Sequence, residues 1–98
     1  MTKLHIALND GFADDTVAIR LDGRPVYEKD HVKTDLRISH ADGLEAEAPE
    51  RGATIEVRVR GVSASAQLHP AERPYVAVNI DPQGKLEIRQ SDEPFPML

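Results

Sequence analysis

Apolar and polar positions alternate with a period of two through most of the chain. Because successive side chains of a β-strand point to opposite faces, this period predicts strands with one buried and one wetted face. No stretch keeps the apolar i, i+3, i+4, i+7 spacing of an amphipathic helix over a helix's length. The alternating apolar sets are Leu4, Ile6 and Leu8; Val17, Ile19 and Leu21; Ile55, Val57 and Val59; Val62, Ala64, Ala66 and Leu68; Val76, Val78 and Ile80; and Leu86 and Ile88.

The dipeptide Asp22-Gly23 predicts a two-residue β-hairpin, since both residue types accept the positive φ angles of the turns that join hairpin strands. Pro25 follows on the returning strand. That strand is therefore expected to be short or to lie at a sheet edge, because Pro has no N–H to donate. The expected opposing pairs are Leu21 with Arg24 and Ile19 with Val26.

The stretch around Asp42-Gly43 is interpreted as a second hairpin, with the three-residue loop Ala41-Asp42-Gly43 and a bulge. A two-residue loop would place Ile38 opposite Glu47, whereas the longer loop places apolar residues opposite each other. The expected pairs are Ile38 with Ala46 and Leu36 with Ala48.

Two further reversals follow. The apolar positions change from odd to even numbers at Gly61, which a type II′ turn at Gly61-Val62 explains; the alternative is one long strand bent by a bulge. Asp81-Pro82-Gln83-Gly84 has the composition of a type I turn and would join strands at 75–80 and 85–90. The Gly61-Val62 turn would pair Val59 with Ala64, Val57 with Ala66 and Ile55 with Leu68.

These elements predict an all-β chain of about eight to nine short strands, arranged as an antiparallel two-sheet sandwich of the immunoglobulin-like or prealbumin-like kind. The segment 17–35, with "LDGRPV" and "KTD", resembles the early strands of prealbumin-like and carboxypeptidase-regulatory β-sandwich modules. The resemblance covers less than a quarter of the chain and lacks the Gly that such modules place after "TD". It implies a fold class and no residue roles. We expect one sandwich domain at 1–90 and a proline-containing apolar tail at 91–98.

Composition excludes several classes of function. The chain has 98 residues, a net charge of −5, two Phe, two Tyr and no Cys. Negative charge and few aromatic rings argue against nucleic-acid binding, and the lack of Cys excludes disulfides, thiolate metal sites and thiol nucleophiles. The segment after Met1 alternates at once and contains no apolar block of the length of a signal peptide or membrane span. A cytoplasmic protein without a membrane partner is expected, in agreement with the absence of Cys.

The loop 9–15 holds the candidate metal ligands. Asp10, Asp14 and Asp15 offer the hard oxygen ligands that calcium prefers, although their spacing is not that of an EF-hand. The alternative is an ordinary turn with solvated carboxylates. The four histidines, at positions 5, 31, 40 and 69, show no chelating spacing, and no cofactor site is predicted.

The sequence contains none of the familiar catalytic motifs considered next. Ser39 and His40 alternate faces of one expected strand and so point apart, and neither a nucleophile elbow nor a phosphate-binding Gly-rich loop occurs. An enzyme is therefore not supported by any motif.

Two features favour association with another protein. An outward row with Ser63 and Ser65 beside Arg58 and Arg60 would suit a flat contact surface, or is an ordinary solvated sheet face. The tail carries apolar side chains that pack either on the chain's own sandwich or on a neighbouring subunit. These tail residues are Phe95, Met97 and Leu98.

The leading hypothesis is therefore a non-catalytic module that mediates protein association, with a homodimer as one form. The alternative is a ligand-binding domain that uses the loop 9–15 for calcium or a small polar molecule.

Overall fold

A computed structural model describes residues 1–38 and 40–95, and within these ranges the chain forms strands and no helix. Each of the eight strands has six to nine residues. In chain order they are β1 (Thr2–Leu8), β2 (Asp15–Leu21), β3 (Arg24–Val32), β4 (Asp42–Ala48), β5 (Ala53–Val59), β6 (Val62–Leu68), β7 (Tyr75–Ile80) and β8 (Leu86–Ser91).

The strands form two four-stranded sheets, in the orders β4-β1-β7-β8 and β3-β2-β5-β6, and the predicted two-sheet sandwich is confirmed. Neighbouring strands are antiparallel except β1 and β7, which run parallel. Immunoglobulin domains place their first two strands in one sheet, whereas β1 and β2 lie in different sheets here. The prealbumin-like assignment stays a prediction.

The core lies between the sheets and consists of the inward positions of the alternating pattern. Leu4, Ile6 and Leu8 are buried on β1, and the matching odd-numbered residues of β2 and β5 are buried opposite them. Burying one such aliphatic side chain contributes about 1.5–3 kcal/mol, so these rows are the main source of stability. Phe12, from the loop after β1, is buried in the same core.

The open sides between the sheets are bridged by side chains. On one side the Tyr27 hydroxyl of β3 donates to Asp42 Oδ2 of β4 at 2.7 Å. Burial, together with this hydrogen bond to a carboxylate, raises the pKa of Tyr27. On the other side Gln90 of β8 donates to the carbonyl of Gln67 on β6 at 3.0 Å.

The β2–β3 hairpin forms as predicted at its turn and differs one pair further along. Leu21 lies opposite Arg24, but a bulge places Ile19 opposite Tyr27 instead of Val26. Pro25 sits at this irregularity, where its lack of an N–H interrupts the ladder. β3 lies at the sheet edge, as expected of a strand that carries Pro25.

The hairpin expected around Asp42-Gly43 is wrong. β4 pairs with β1, so that Ala46 lies opposite Leu4 and Ala48 opposite Thr2. The segment before β4 forms a loop, in which the side chain of Leu36 is 87% exposed and that of Ile38 is 39% exposed. β1 supplies the apolar partners that were assigned to this segment, and Gly43 becomes part of a strand.

The β5–β6 hairpin is confirmed, but its turn lies one residue earlier than predicted. Val59 lies opposite Val62, so the expected type II′ turn and its three pairs are wrong. The turn residues are Arg60 and Gly61, with φ of 55° and 72°. A left-handed arginine is uncommon, and its guanidinium is held elsewhere in the fold, as described below.

The turn between β7 and β8 agrees with the sequence. Gly84 N donates to the carbonyl of Asp81 at 2.9 Å, which closes the expected four-residue turn. The part of the chain described here contains no helix with the length and apolar character needed to cross a membrane.

Candidate functional site

A depression of about 520 Å³ lies on the outer face of the sheet formed by β4, β1 and β7. Leu4 and Ile6 of β1 point into the core, so the intervening His5 and the following Ala7 point outward. Gly43 lies opposite Ala7, and these two small residues form the floor.

The next row along the same face carries larger side chains. Glu45 of β4 and Tyr75 of β7 flank His5 of β1 on either side. The depression forms because Gly43 and Ala7 have almost no side-chain volume, whereas the residues of the neighbouring row have large side chains.

His5 is held by two contacts. Its Nδ1 lies 3.0 Å from Glu45 Oε2, and its ring stacks on Tyr75 with centroids 4.9 Å apart and planes at 19°. Lys3 lies 3.9 Å from the other oxygen of Glu45. The imidazole therefore has one orientation, in which Nδ1 faces the carboxylate.

His40 reaches the depression from the loop before β4. The backbone of Asp35 bonds the carbonyl of His40 at 2.9 Å and closes this loop. The ring extends over the floor: a Cβ placed on Gly43 would lie 3.6 Å from Cε1 and 3.8 Å from Nε2 of His40. Its Nδ1 lies 3.0 Å from Asn9 Oδ1.

Asn9 is a fixed support for His40. The residue is only 8% exposed, and its backbone N donates to the carbonyl of Val78 at 3.0 Å. Its own carbonyl accepts the hydroxyl of Thr34 at 2.6 Å. Because both backbone groups are bonded, the Asn9 side chain presents its oxygen to His40 from a rigid position.

Pro94 and Phe95 of the tail form one wall of the depression. The chain leaves β8 at Ser91, whose hydroxyl accepts the N–H of Glu93 at 3.0 Å, and then reaches the outer face of its own sheet. Phe95, a predicted interface residue, is thus half-buried against its own chain. The other two, Met97 and Leu98, lie outside the described residues.

In the loop 9–15, Asp14 and Asp15 each contact a basic side chain. Arg60 donates to Asp15 through Nε at 2.7 Å and Nη2 at 2.9 Å, and this guanidinium holds the pKa of the Asp15 carboxyl below its usual value. Asp14 lies 2.7 Å from His31 Nδ1, and the hydrogen bond raises the pKa of His31. Asp10 contributes its backbone N–H to Asn79 Oδ1 at 2.9 Å.

The candidate calcium ligands are therefore not brought together as a set. Asp14 and Asp15 each have a basic partner, and within the described ranges no three His, Cys, Asp or Glu side chains are placed to hold a metal ion. The two contacts connect the loop to other elements. Asp15 binds Arg60 of the β5–β6 turn, and Asp14 binds His31 near the end of β3.

The predicted Ser/Arg row is only partly assembled. Arg58 lies opposite Ser63, and Ser65 lies opposite Glu56, so these side chains share one exposed face. Arg60 leaves the row, because it occupies the turn and binds Asp15.

Comparison with known proteins adds no relative. No protein-family model, no curated protein and no solved structure matches the chain.

Sequence reasoning missed the depression because its members come from distant parts of the chain. The four histidines were judged by their spacing, and His40 was assigned to an expected strand together with Ser39. No histidine could be linked to Glu45, Tyr75 or Asn9 without knowing that β4 and β7 flank β1. One local feature of the sequence points to the depression. A Gly and an Ala occupy outward positions of strands that also carry His and Glu.

Proposed function

We propose that this chain is a binding module and that the depression between β4 and β7 takes a small organic ligand. The observation that carries the proposal is the fixing of His5 and His40 through their Nδ1 atoms beside a floor of small residues. The volume of about 520 Å³ falls within the range of roughly 300–1,000 Å³ that small-molecule sites occupy.

The chemistry of the lining supports this choice of partner. Tyr75 and Phe95 provide aromatic walls, Ala7 provides an apolar floor, and the two imidazoles provide directed polar atoms. Ligand sites combine mostly apolar lining with few oriented polar groups. The histidines are already oriented, so binding costs little side-chain entropy.

A substitution at the floor tests the site directly. Gly43 is exposed and lies in a strand, and a Cβ there meets only ordinary contact distances, so Gly43→Leu fills the depression without strain on the backbone. Ala18→Leu is the matched control, because Ala18 is an outward small residue of the other sheet.

The measurement is a two-dimensional NMR titration of the full chain with a library of small fragments. We expect shifts that cluster on β1, β4 and β7, that disappear in Gly43→Leu and that persist in Ala18→Leu. Fragments that bind elsewhere, or none that bind at all, would contradict the proposal.

Protein association is a second candidate, favoured by the loop between β3 and β4. Leu36 is 87% exposed there, on a loop where Ile38 N bonds the carbonyl of Asp35 at 3.2 Å. Arg37 donates to both carboxylate oxygens of Asp35, at 3.0–3.1 Å. Neighbouring apolar side chains that are held in water favour burial against a partner surface.

Sedimentation over a concentration series tests this candidate for a second copy of the chain. A dimer that weakens in Leu36→Ser and Ile38→Ser would support the loop as the interface. If the dimer weakens only when residues 95–98 are deleted, the interface lies at the tail and not at the loop. A monomer at every concentration would contradict self-association.

A further inference from the structure

The hydrogen bond between His5 and Glu45 determines which ring nitrogen of His5 carries the proton. An ionised carboxylate only accepts hydrogen bonds, so Nδ1, at 3.0 Å from Glu45 Oε2, must be the donor. In the neutral imidazole the other nitrogen is then an acceptor. His5 thus offers a lone pair at Nε2.

His40 is arranged in the same way. Its Nδ1 lies 3.0 Å from the side-chain oxygen of Asn9, which is an acceptor, so Nδ1 carries the hydrogen and Nε2 the lone pair. A Cβ placed on Gly43 would lie 3.8 Å from this Nε2, so the nitrogen lies over the floor of the depression. Both imidazoles line the same depression.

The shape and the charge of the depression restrict what can fill it. The floor of Ala7 and Gly43 carries no side chain larger than a methyl group, and the walls include the stacked rings of His5 and Tyr75. A planar ring fits such a space. The carboxylate of Glu45 and the two lone pairs repel an anion, and Lys3 beside Glu45 lowers the attraction for a cation.

We infer that the ligand is a neutral planar ring that carries hydroxyl or amino groups and donates hydrogen bonds to the Nε2 atoms of His5 and His40. This inference rests on the proposed function, since it names the ligand chemistry of the same depression. It follows from the two fixed histidine orientations beside the floor of small residues.

The experiment is an NMR titration of the full ¹⁵N-labelled chain, at about pH 8, where imidazole is neutral. The probes are phenol, anisole and benzoate: anisole lacks the donor of phenol, and benzoate is an anionic acceptor. One net hydrogen bond is worth about 0.5–1.5 kcal/mol, so phenol should bind about two- to twelvefold more tightly than anisole. Benzoate should bind more weakly than phenol.

The outcomes separate the inference from the proposed function. Anisole or benzoate that binds the depression as well as phenol overturns the inference and leaves a binding site standing. If no probe shifts the residues of the depression, both are overturned.

Two further measurements test the role of the histidines themselves. Ring ¹⁵N shifts should show the proton on Nδ1 in both residues, and a proton on Nε2 of either would contradict the inference. His5→Phe keeps a ring that can stack on Tyr75 and removes the acceptor. We expect it to reduce the preference for phenol over anisole, because the single hydroxyl of phenol can then donate only to His40. A preference that survives in the double variant, which carries His5→Phe together with His40→Phe, would overturn the inference.

Discussion

Arg60 and Asp15 form a two-point ion pair across 45 residues of sequence, with Nε–Oδ1 at 2.7 Å and Nη2–Oδ2 at 2.9 Å. Asp15 is 8% exposed at the start of β2, and Arg60 lies in the β5–β6 turn with φ of 55°. The same guanidinium donates to the carbonyl of Gly11 at 3.1 Å. Because Val17 lies opposite Val59, Asp15 and the β5–β6 turn lie at the same end of one sheet. The Arg60 guanidinium therefore joins this turn to the start of β2 and to the loop after β1.

Arg60→Ala should destabilise the fold by about 1–2 kcal/mol, because it leaves the buried carboxylate of Asp15 without its main partner. The figure stays modest, since the Arg60 side chain is 41% exposed and solvent screens the pair. Urea unfolding measures the loss. Arg58→Ala, on the exposed sheet face, is the control and should cost less than about 0.5 kcal/mol. Equal losses in the two variants would show that the ion pair contributes nothing.

We expect Asp15 to make the free energy of unfolding depend on pH in the acidic range. Its hydrogen bond with Arg60 lowers its pKa in the folded protein, so its contribution is fully present above the unfolded value of about 3.9 and is lost as the pH falls through the lower folded pKa. Asp15→Asn should remove this acidic part of the unfolding curve and lower stability at neutral pH. Asp92→Asn, an exposed tail position, should leave the curve unchanged. An unaltered acid slope in Asp15→Asn would contradict the assignment.

Gly11 and Gly23 have nearly equal φ angles but different surroundings, so they allow a test of whether space for a side chain is needed. Their φ angles are 90° and 82°, so alanine is strained at both. At Gly11 a Cβ would overlap the backbone carbonyl of Ile80, whereas at Gly23 it meets nothing within 4 Å. We expect Gly23→Ala to cost about 1–2 kcal/mol and Gly11→Ala about 2 kcal/mol more. Thermal unfolding of both variants gives the difference, and similar melting temperatures would rule out the clash.

Phe95→Ala should weaken ligand binding more than it weakens the fold. The ring lines the depression and is half-buried, so its loss removes an aromatic wall but no core residue. Fragment titration should show a several-fold lower affinity, with unfolding changed by less than about 1 kcal/mol. Glu93→Ala, two residues earlier and exposed, is the control. A large loss of stability without a change in affinity would make Phe95 a structural residue only.

Part of the fold could be predicted because it depends on local physics. The buried faces of β1, β2 and β5 follow from the alternation itself, since a strand has only two faces and the apolar one enters the core. The turn from Asp81 to Gly84 follows from the conformational preferences of Pro and Gly in four consecutive residues. None of this requires knowledge of a neighbour.

The errors share a different cause. Gly43 was assigned to a loop because Leu36 and Ile38 looked like partners for the residues after it, yet β1 offers the same apolar pattern. The turn at Gly61 was placed one residue late because a left-handed backbone was expected of the glycine alone, whereas Arg60 and Gly61 both adopt one. Local patterns do not distinguish between partners that would bury the same side chains.

The sequence by itself determined that this chain is a β-sandwich, where most of its strands run, and which side of them is buried. Only the tertiary structure decided that β1 lies between β4 and β7, and therefore that His5, Glu45 and Tyr75 share one row. The physical reason is that alternation specifies the face of each strand, whereas the order of strands depends on packing between segments far apart in the chain. The candidate site is made by that order.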